Sequence, residues 1–300
     1  MRSLIIVLIA ALWSQASSAH PVDVFNAAAS GEWLLIGLLL LSGIWYAYGY
    51  WRVHRSSNAG RARLHRQGIM FALGWSIIAA SLLSPLHELG GRSFTAHMIE
   101  HELLMLVSAP LMTWSKPLGV LLWAFPPRMR HALGNVGTRA GYRRFWSALS
   151  SPMSASLLQG VMLWIWHAPS LFNAALLSES WHVAQHLCLF GSALLFWWSM
   201  SRVSSLDQRH GVAAFWLFFT SLHSGLLGAL MSFSESPWYP KYAALALAGA
   251  GGLTPLQDQQ LAGLIMWIPG GAFHAIVALV YLNRWFQVPW HGAQAGGRSV

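Results

Sequence analysis

The sequence predicts an all-α polytopic membrane protein, a bundle of seven transmembrane helices with the N-terminus outside and the C-terminus cytoplasmic. Three observations lead to this class. Of the 300 residues, 55% are hydrophobic and only 9% charged, where a soluble domain carries roughly 25% charged residues. Seven apolar segments come near the ~20 residues that an α-helix needs to cross a bilayer. Arginine and lysine concentrate in alternate connecting segments, as the positive-inside rule requires of cytoplasmic loops.

The chain opens with Arg2, an apolar run from Leu4 to Trp13, and Ser17-Ser18-Ala19. This is the pattern of a secretory signal peptide over residues 1–19, with an apolar core too short to span. Cleavage after Ala19 would leave one membrane domain, residues 20–300, beginning at His20. An N-terminal histidine offers an amine and an imidazole to one metal ion. The seven segments follow as Trp33–Trp51, Gly68–Leu83, Thr95–Ser115, Ser150–His167, Trp181–Met200, Ala213–Phe233 and Leu261–Tyr281. Arg52, Arg55, Arg61, Arg63 and Arg66 follow the first, and Lys116, Arg128, Arg130, Arg139, Arg143 and Arg144 follow the third. Arg202 and Arg209 follow the fifth, Arg284 and Arg298 the seventh, and the opposite side holds only Arg92 and Lys241. The net charge of +9 is therefore topological and argues against a nucleic-acid partner. With Cys188 as the sole cysteine, neither an internal disulfide framework nor a cysteine-clustered metal site is possible.

Two segments contain helix breakers. Ser108-Ala109-Pro110 should kink the third and Lys116-Pro117 should end it, leaving Leu118–Phe125 as an interfacial turn before Pro126-Pro127. Pro269-Gly270-Gly271 should interrupt the seventh just before His274. Broken helices at membrane depth line cavities or are buried in protein.

Histidine is costly inside a bilayer, so its placement there is informative. At ~1.5 Å per helical residue, His97 and His101 lie near the outer end of the third segment. His182 and His186 repeat the same spacing at the outer end of the fifth, and His167 closes the fourth. An i, i+4 pair shares one helix face, so two pairs on neighbouring helices can close a site together. His223 and His274 sit about half-way through, while His87 and Glu88 belong to the outer loop between the second and third segments. The cytoplasmic His54, His65, His131 and His210 read as solvated. Neutral imidazole is the commonest metal ligand, and an all-imidazole site suits zinc, copper or iron. A haem held by two histidines needs ligands on opposite sides of a ring, which a pair one turn apart does not provide. Met98, Met105, Met231 and Met266 could add soft thioether ligands for Cu(I), although packing is the commoner use of such residues. His97-Met-Ile-Glu100-His101 also fits the H-x-x-E-H arrangement of inverted zinc peptidases, in which the glutamate activates a zinc-bound water. Glu100 can equally hold a ligand imidazole by a hydrogen bond. Glu102 projects from another face and is expected at the interface. Asp258 is expected to cap the seventh helix or to serve as a ligand or gate.

Four stretches carry a family resemblance: Phe94–Pro117 (FTAHMIEHELLMLVSAPLMTWSKP), Trp164–Ala175 (WIWHAPSLFNAA), Trp181–Trp198 (WHVAQHLCLFGSALLFWW) and Asp258–Gly270 (DQQLAGLIMWIPG). The sequence resembles the seven-span cytochrome c oxidase assembly factors of the CtaG type, associated with caa-type oxidases. The resemblance implies maturation of a haem–copper oxidase, with copper as the metal and His97, His101, His167, His182, His186, His223 and His274 as its ligands. The expected protein is then a non-enzymatic assembly factor of the bacterial inner membrane. Its metal site faces the periplasm, and its partners are a haem–copper oxidase subunit and the lipid bilayer. His97, His101, His182 and His186 would be the primary ligands, with the other three completing the site or forming a deeper transfer site. Two alternatives compete: an intramembrane zinc hydrolase with Glu100 or Asp258 as base, and a haem-binding electron-transfer protein.

Overall fold

The computed structural model describes residues 32–56, 58–203, 210–247 and 252–287. The expected signal peptide, its cleavage site and His20 lie outside them. The chain divides into two units, residues 1–44 and 45–300. The first contributes the opening turns of α1 (Glu32–Ser56), where Leu38, Leu40, Leu41 and Ile44 are exposed. The second contains every feature described below.

Among the described residues the structure is helical, without strands. After α1 come α2 (Arg61–Leu83), α3 (Pro85–Gly90) and α4 (Phe94–Glu102), the last running through a π-helical turn, Leu103–Ser108, into α5 (Ala109–Trp114). Then follow α6 (Pro117–Ala124), α7 (Pro127–Thr138), α8 (Ala140–Leu149), α9 (Pro152–His167), α10 (Pro169–Leu177), α11 (Glu179–Val203), α12 (His210–Ser232), α13 (Pro240–Leu247) and α14 (Pro255–Gln287). Prolines start many of these helices, because their fixed φ and missing N–H suit a first turn. Ser84, Ser93 and Ser151 cap α3, α4 and α9 by accepting the backbone N–H of Leu86, Ala96 and Ser154.

Each of the seven apolar segments coincides with a helix or a run of helices. Four helices, α2, α11, α12 and α14, are long and apolar enough to cross a membrane. Two bent pairs also qualify if each is one span: α4–α5 with α6, bent by 63°, and α8 with α9, bent by 59°. Their outer faces are apolar and bare, with Leu187, Phe215, Phe218, Leu222, Ile276 and Leu279 all exposed. In water such a surface would be unfavourable; in lipid it is matched. The protein is a multi-pass membrane protein.

The helix breakers act only partly as expected. In the third segment Pro110 lacks an N–H, and the turn before it widens into the π-helix Leu103–Ser108, so the helix continues to Trp114. The helix ends before Lys116, as expected, with Lys116 at a left-handed φ of 51°, and the next apolar run forms the helix α6 rather than a turn. Pro269 sits inside α14 without ending it. Tertiary packing explains its continuity, because α12 backs α14 closely. A Cβ on Gly263 would meet the carbonyl oxygen of Gly228 at 2.5 Å and Oγ of Ser232 at 2.6 Å, so only glycine permits this approach. Ser221 Oγ also donates to the carbonyl of Gly271 at 3.3 Å, just past the proline. The main core gathers side chains of α4, α5, α9–α12 and α14, with Phe196, Trp197, Met200, Leu217 and Met231 fully buried.

Candidate metal centre

α4 and α11 each carry two histidines one turn apart, and the two pairs face each other. The ring centroids of His97 and His101 are 4.4 Å apart, and those of His182 and His186 are 4.6 Å apart. Between the helices, His97 lies 5.6 Å from His182 and His101 lies 4.9 Å from His186. The Nε2 atoms of His182 and His186 approach to 2.9 Å. Two i, i+4 pairs, placed by periodicity at matched depth, have become one cluster.

Glu100 completes it. The side chain is fully buried, with Oε1 2.9 Å from Nδ1 of His87 and 3.7 Å from Nε2 of His186. His87 comes from α3 and stacks on His182, 5.3 Å between centroids and 3° from parallel. One ligating atom from each of His87, Glu100 and His186 lies within 4.8 Å of the other two. Sequence reasoning placed His87 on the outer side but left it out of the site. The available signal was that side itself, shared with both histidine pairs.

The short helix α3 is held in place from two directions. Tyr242 Oη donates to the carbonyl of Gly90 at 2.7 Å, and burial pushes this phenol well up, keeping it a donor. Gly90 also lets α3 lie against α4, since a Cβ there would sit 3.3 Å from Glu100 Oε2 and 3.4 Å from His97 Cα. The start of α4 is fixed by Asp258. Its carboxylate accepts the N–H of Phe94 at 2.6 Å, the N–H of Thr95 at 3.0 Å and the hydroxyl of Ser93 at 2.9 Å. Asp258 therefore caps α4 rather than its own helix, where a negative group meets the positive end of the helix dipole.

Of the other expected ligands, His167 lies within electrostatic reach of His97 and His101, while His223 and His274 make their ring contacts apart from the cluster. His167, at the end of α9, donates from Nδ1 to the Leu163 carbonyl at 2.7 Å, and its buried Nε2 has no partner. Phe172 of α10 packs against both His167 and His97, with ring centroids 6.1 Å and 5.1 Å away. His223 packs against Gly160 and Phe219. His274 stacks on Trp197 at 5.7 Å. Among the described residues no ring contact joins either of them to the four clustered histidines. Two further expectations are corrected. Oε2 of Glu102 is shielded from solvent and sits over Gly270 of α14. His210 is buried against Tyr281, not solvated, because α12 begins inside the protein. Met98, Met105, Met231 and Met266 are all core residues.

The donor set fits a metal ion. Nε2 of His97, both ring nitrogens of His101, Nδ1 of His186 and Oε2 of Glu100 are all buried without a hydrogen-bond partner. Each such atom costs about 1–3 kcal/mol if left unpaired, so passive packing explains the cluster poorly. Imidazole nitrogens with one carboxylate are a donor set for zinc, copper or iron. No curated protein and no solved structure matches the chain. Residues 44–288, which contain the whole cluster, match the family described as cytochrome c oxidase caa3 assembly factor (Caa3_CtaG), and the chain belongs to that family.

Proposed function

We propose that this protein binds copper at the outer face of a bacterial inner membrane and assists its insertion into a haem–copper oxidase. The observation that carries this reading is the convergence of His97, His101, His182 and His186 on Glu100 and His87, with buried donor atoms that have no protein partner. The family's role in oxidase assembly selects copper among the metals that imidazoles accept. In this reading the copper ion is cargo, and the protein is not an enzyme. His97, His101, His182 and His186 would hold the ion, while Glu100 offsets its charge and keeps His87 oriented.

The arrangement favours an ion over haem, since imidazole centroids 4.4–5.6 Å apart leave no slot for a porphyrin. It also gives Glu100 a partner in His87 at 2.9 Å, which suits a ligand-orienting carboxylate better than a free base. The membrane arrangement in this proposal has seven spans, α1 being the first. The N-terminus is outside after signal-peptide removal, and the arginine-rich segments are cytoplasmic.

Metal analysis of the purified full chain tests the reading. Wild type should carry copper, and the double variant His101→Ala/His186→Ala should lose the equivalent bound by the outer histidines. Unchanged copper in the double variant rejects the site. Stoichiometric zinc, with oxidase activity untouched by gene deletion, would favour the hydrolase. A Soret band would favour haem.

A further inference from the structure

Below the histidine cluster lies a second group of buried donors, separate in space and in chemistry. A cavity of about 20 Å³ opens between α4, the π-helical turn, α9, α12 and α14, and its walls include Glu102, Met105, Gln159, Met266 and His274. That is room for one water molecule or one ion. We propose that this cavity is an inner binding site for a soft monovalent metal ion such as Cu(I), with Glu102, Met105, Met266 and His274 as ligands. The proposal rests on the copper reading above and adds to it a place for the ion to go.

His274 is 3% exposed. Its Nδ1 donates to the Gly270 carbonyl at 2.8 Å, which fixes the tautomer and leaves Nε2 as a lone pair. That Nε2 has no partner, and neither has Oε2 of Glu102 nor Oε1 of Gln159. Met266, Gly270 and His274 follow one another at four-residue spacing and so share a face of α14. Glu102 Oε2 would stand 3.1 Å from a Cβ on Gly270. The carboxylate therefore seats on the glycine, with the thioether one turn before it and the imidazole one turn after. Met105, in the π-helical turn that follows Glu102, also lines the cavity and brings a second thioether.

Two thioethers with one imidazole and one carboxylate make a softer set than the outer imidazoles, and soft sulfur ligands select Cu(I). Glu102 directly follows His101 in α4, so the inner site is one residue further along from an outer ligand. Trp197 braces both halves. Its indole N–H donates to the Met105 carbonyl at 2.9 Å, and its ring stacks on His274.

The test is anaerobic Cu(I) titration of the full chain against a chromophoric Cu(I) chelator, with X-ray absorption of the loaded protein. The variants are Met105→Leu/Met266→Leu, His274→Gln and the outer pair His101→Ala/His186→Ala. Methionine to leucine conserves volume, and His274→Gln gives an independent variant should the first fail to fold. Wild type should bind two equivalents with metal–sulfur scattering. The methionine variant should bind one and lose the sulfur signal, and the outer variant should keep the sulfur-ligated equivalent. One equivalent without sulfur in wild type, the result expected if the cavity holds only water, overturns the inner site and leaves the outer reading standing. Sulfur scattering that survives Met105→Leu/Met266→Leu also overturns it. Two equivalents in the outer variant would reject the outer site instead.

Discussion

Nδ1 of His87 and Oε1 of Glu100, contributed by two different helices, meet at 2.9 Å inside the histidine cluster. The same Oε1 lies 3.7 Å from Nε2 of the proposed ligand His186, and losing a carboxylate that supports a metal-ligating imidazole lowers metal affinity by about 10- to 100-fold. Glu100→Gln keeps the shape and removes the charge. It should weaken copper binding by that factor in a competition titration, with thermal stability little changed. His87→Ala should weaken it to a similar degree. Affinity within threefold of wild type in both variants would reduce the pair to a structural contact.

The pair also marks where sequence reading stops. The histidines on α4 and α11 were legible because helical periodicity converts four-residue spacing into a shared face, and charge sorting supplies depth. His87 was not, since a six-residue helix between two spans has no periodicity that aims a side chain. Glu102 was misread for a related reason. Its face could be computed from the helix, but the wall opposite that face, Gly270 of α14, is a tertiary fact. The same holds for Pro269. Proline rules predict a broken helix, and what keeps α14 intact is its close packing against α12.

Asp258 caps α4 from 164 residues away, at Phe94. Removing a cap costs about 0.5–2 kcal/mol, and in a protein of this size each kcal/mol shifts Tm by about 2–4 °C. Asp258→Ala should therefore lower the melting temperature in detergent by a few degrees, and Asp258→Asn, which keeps an acceptor, should recover part of the loss. Copper content per folded protein should stay at the wild-type value in the asparagine variant. A large drop in metal without a drop in Tm would instead make Asp258 a ligand.

Glycines in this chain divide into those that permit contact and those that do not. A methyl group on Gly263 would meet backbone and hydroxyl oxygens at 2.5 and 2.6 Å, and overpacking of this kind costs about 1–3 kcal/mol. Gly191 in α11 has nothing within 4 Å of its Cβ position, so alanine there should stabilise by about 0.5–1 kcal/mol through helix propensity. Thermal unfolding of Gly263→Ala and Gly191→Ala should move in opposite directions. Equal shifts would mean that the α12–α14 contact is looser than the structure has it.

The proposed topology makes a prediction that needs no metal. Thr138, at the end of α7, and Ser236, between α12 and α13, are both exposed. They fall on opposite sides of the membrane if the arginine-rich segment after the third span is cytoplasmic. With Cys188 as the only native cysteine, a Cys188→Ser background leaves a single introduced thiol to report each position. Ser236→Cys should react with a membrane-impermeant maleimide in intact spheroplasts, and Thr138→Cys only after the membrane is opened. That result would put the outer ends of α4 and α11, and with them the histidine cluster, on the side where Ser236 is labelled. The reverse pattern would place the cluster at the cytoplasmic face and reject periplasmic copper handling, whatever the metal content proves to be. Labelling of both positions in intact spheroplasts would mean an even number of spans between them, contrary to the three assigned here to α9, α11 and α12.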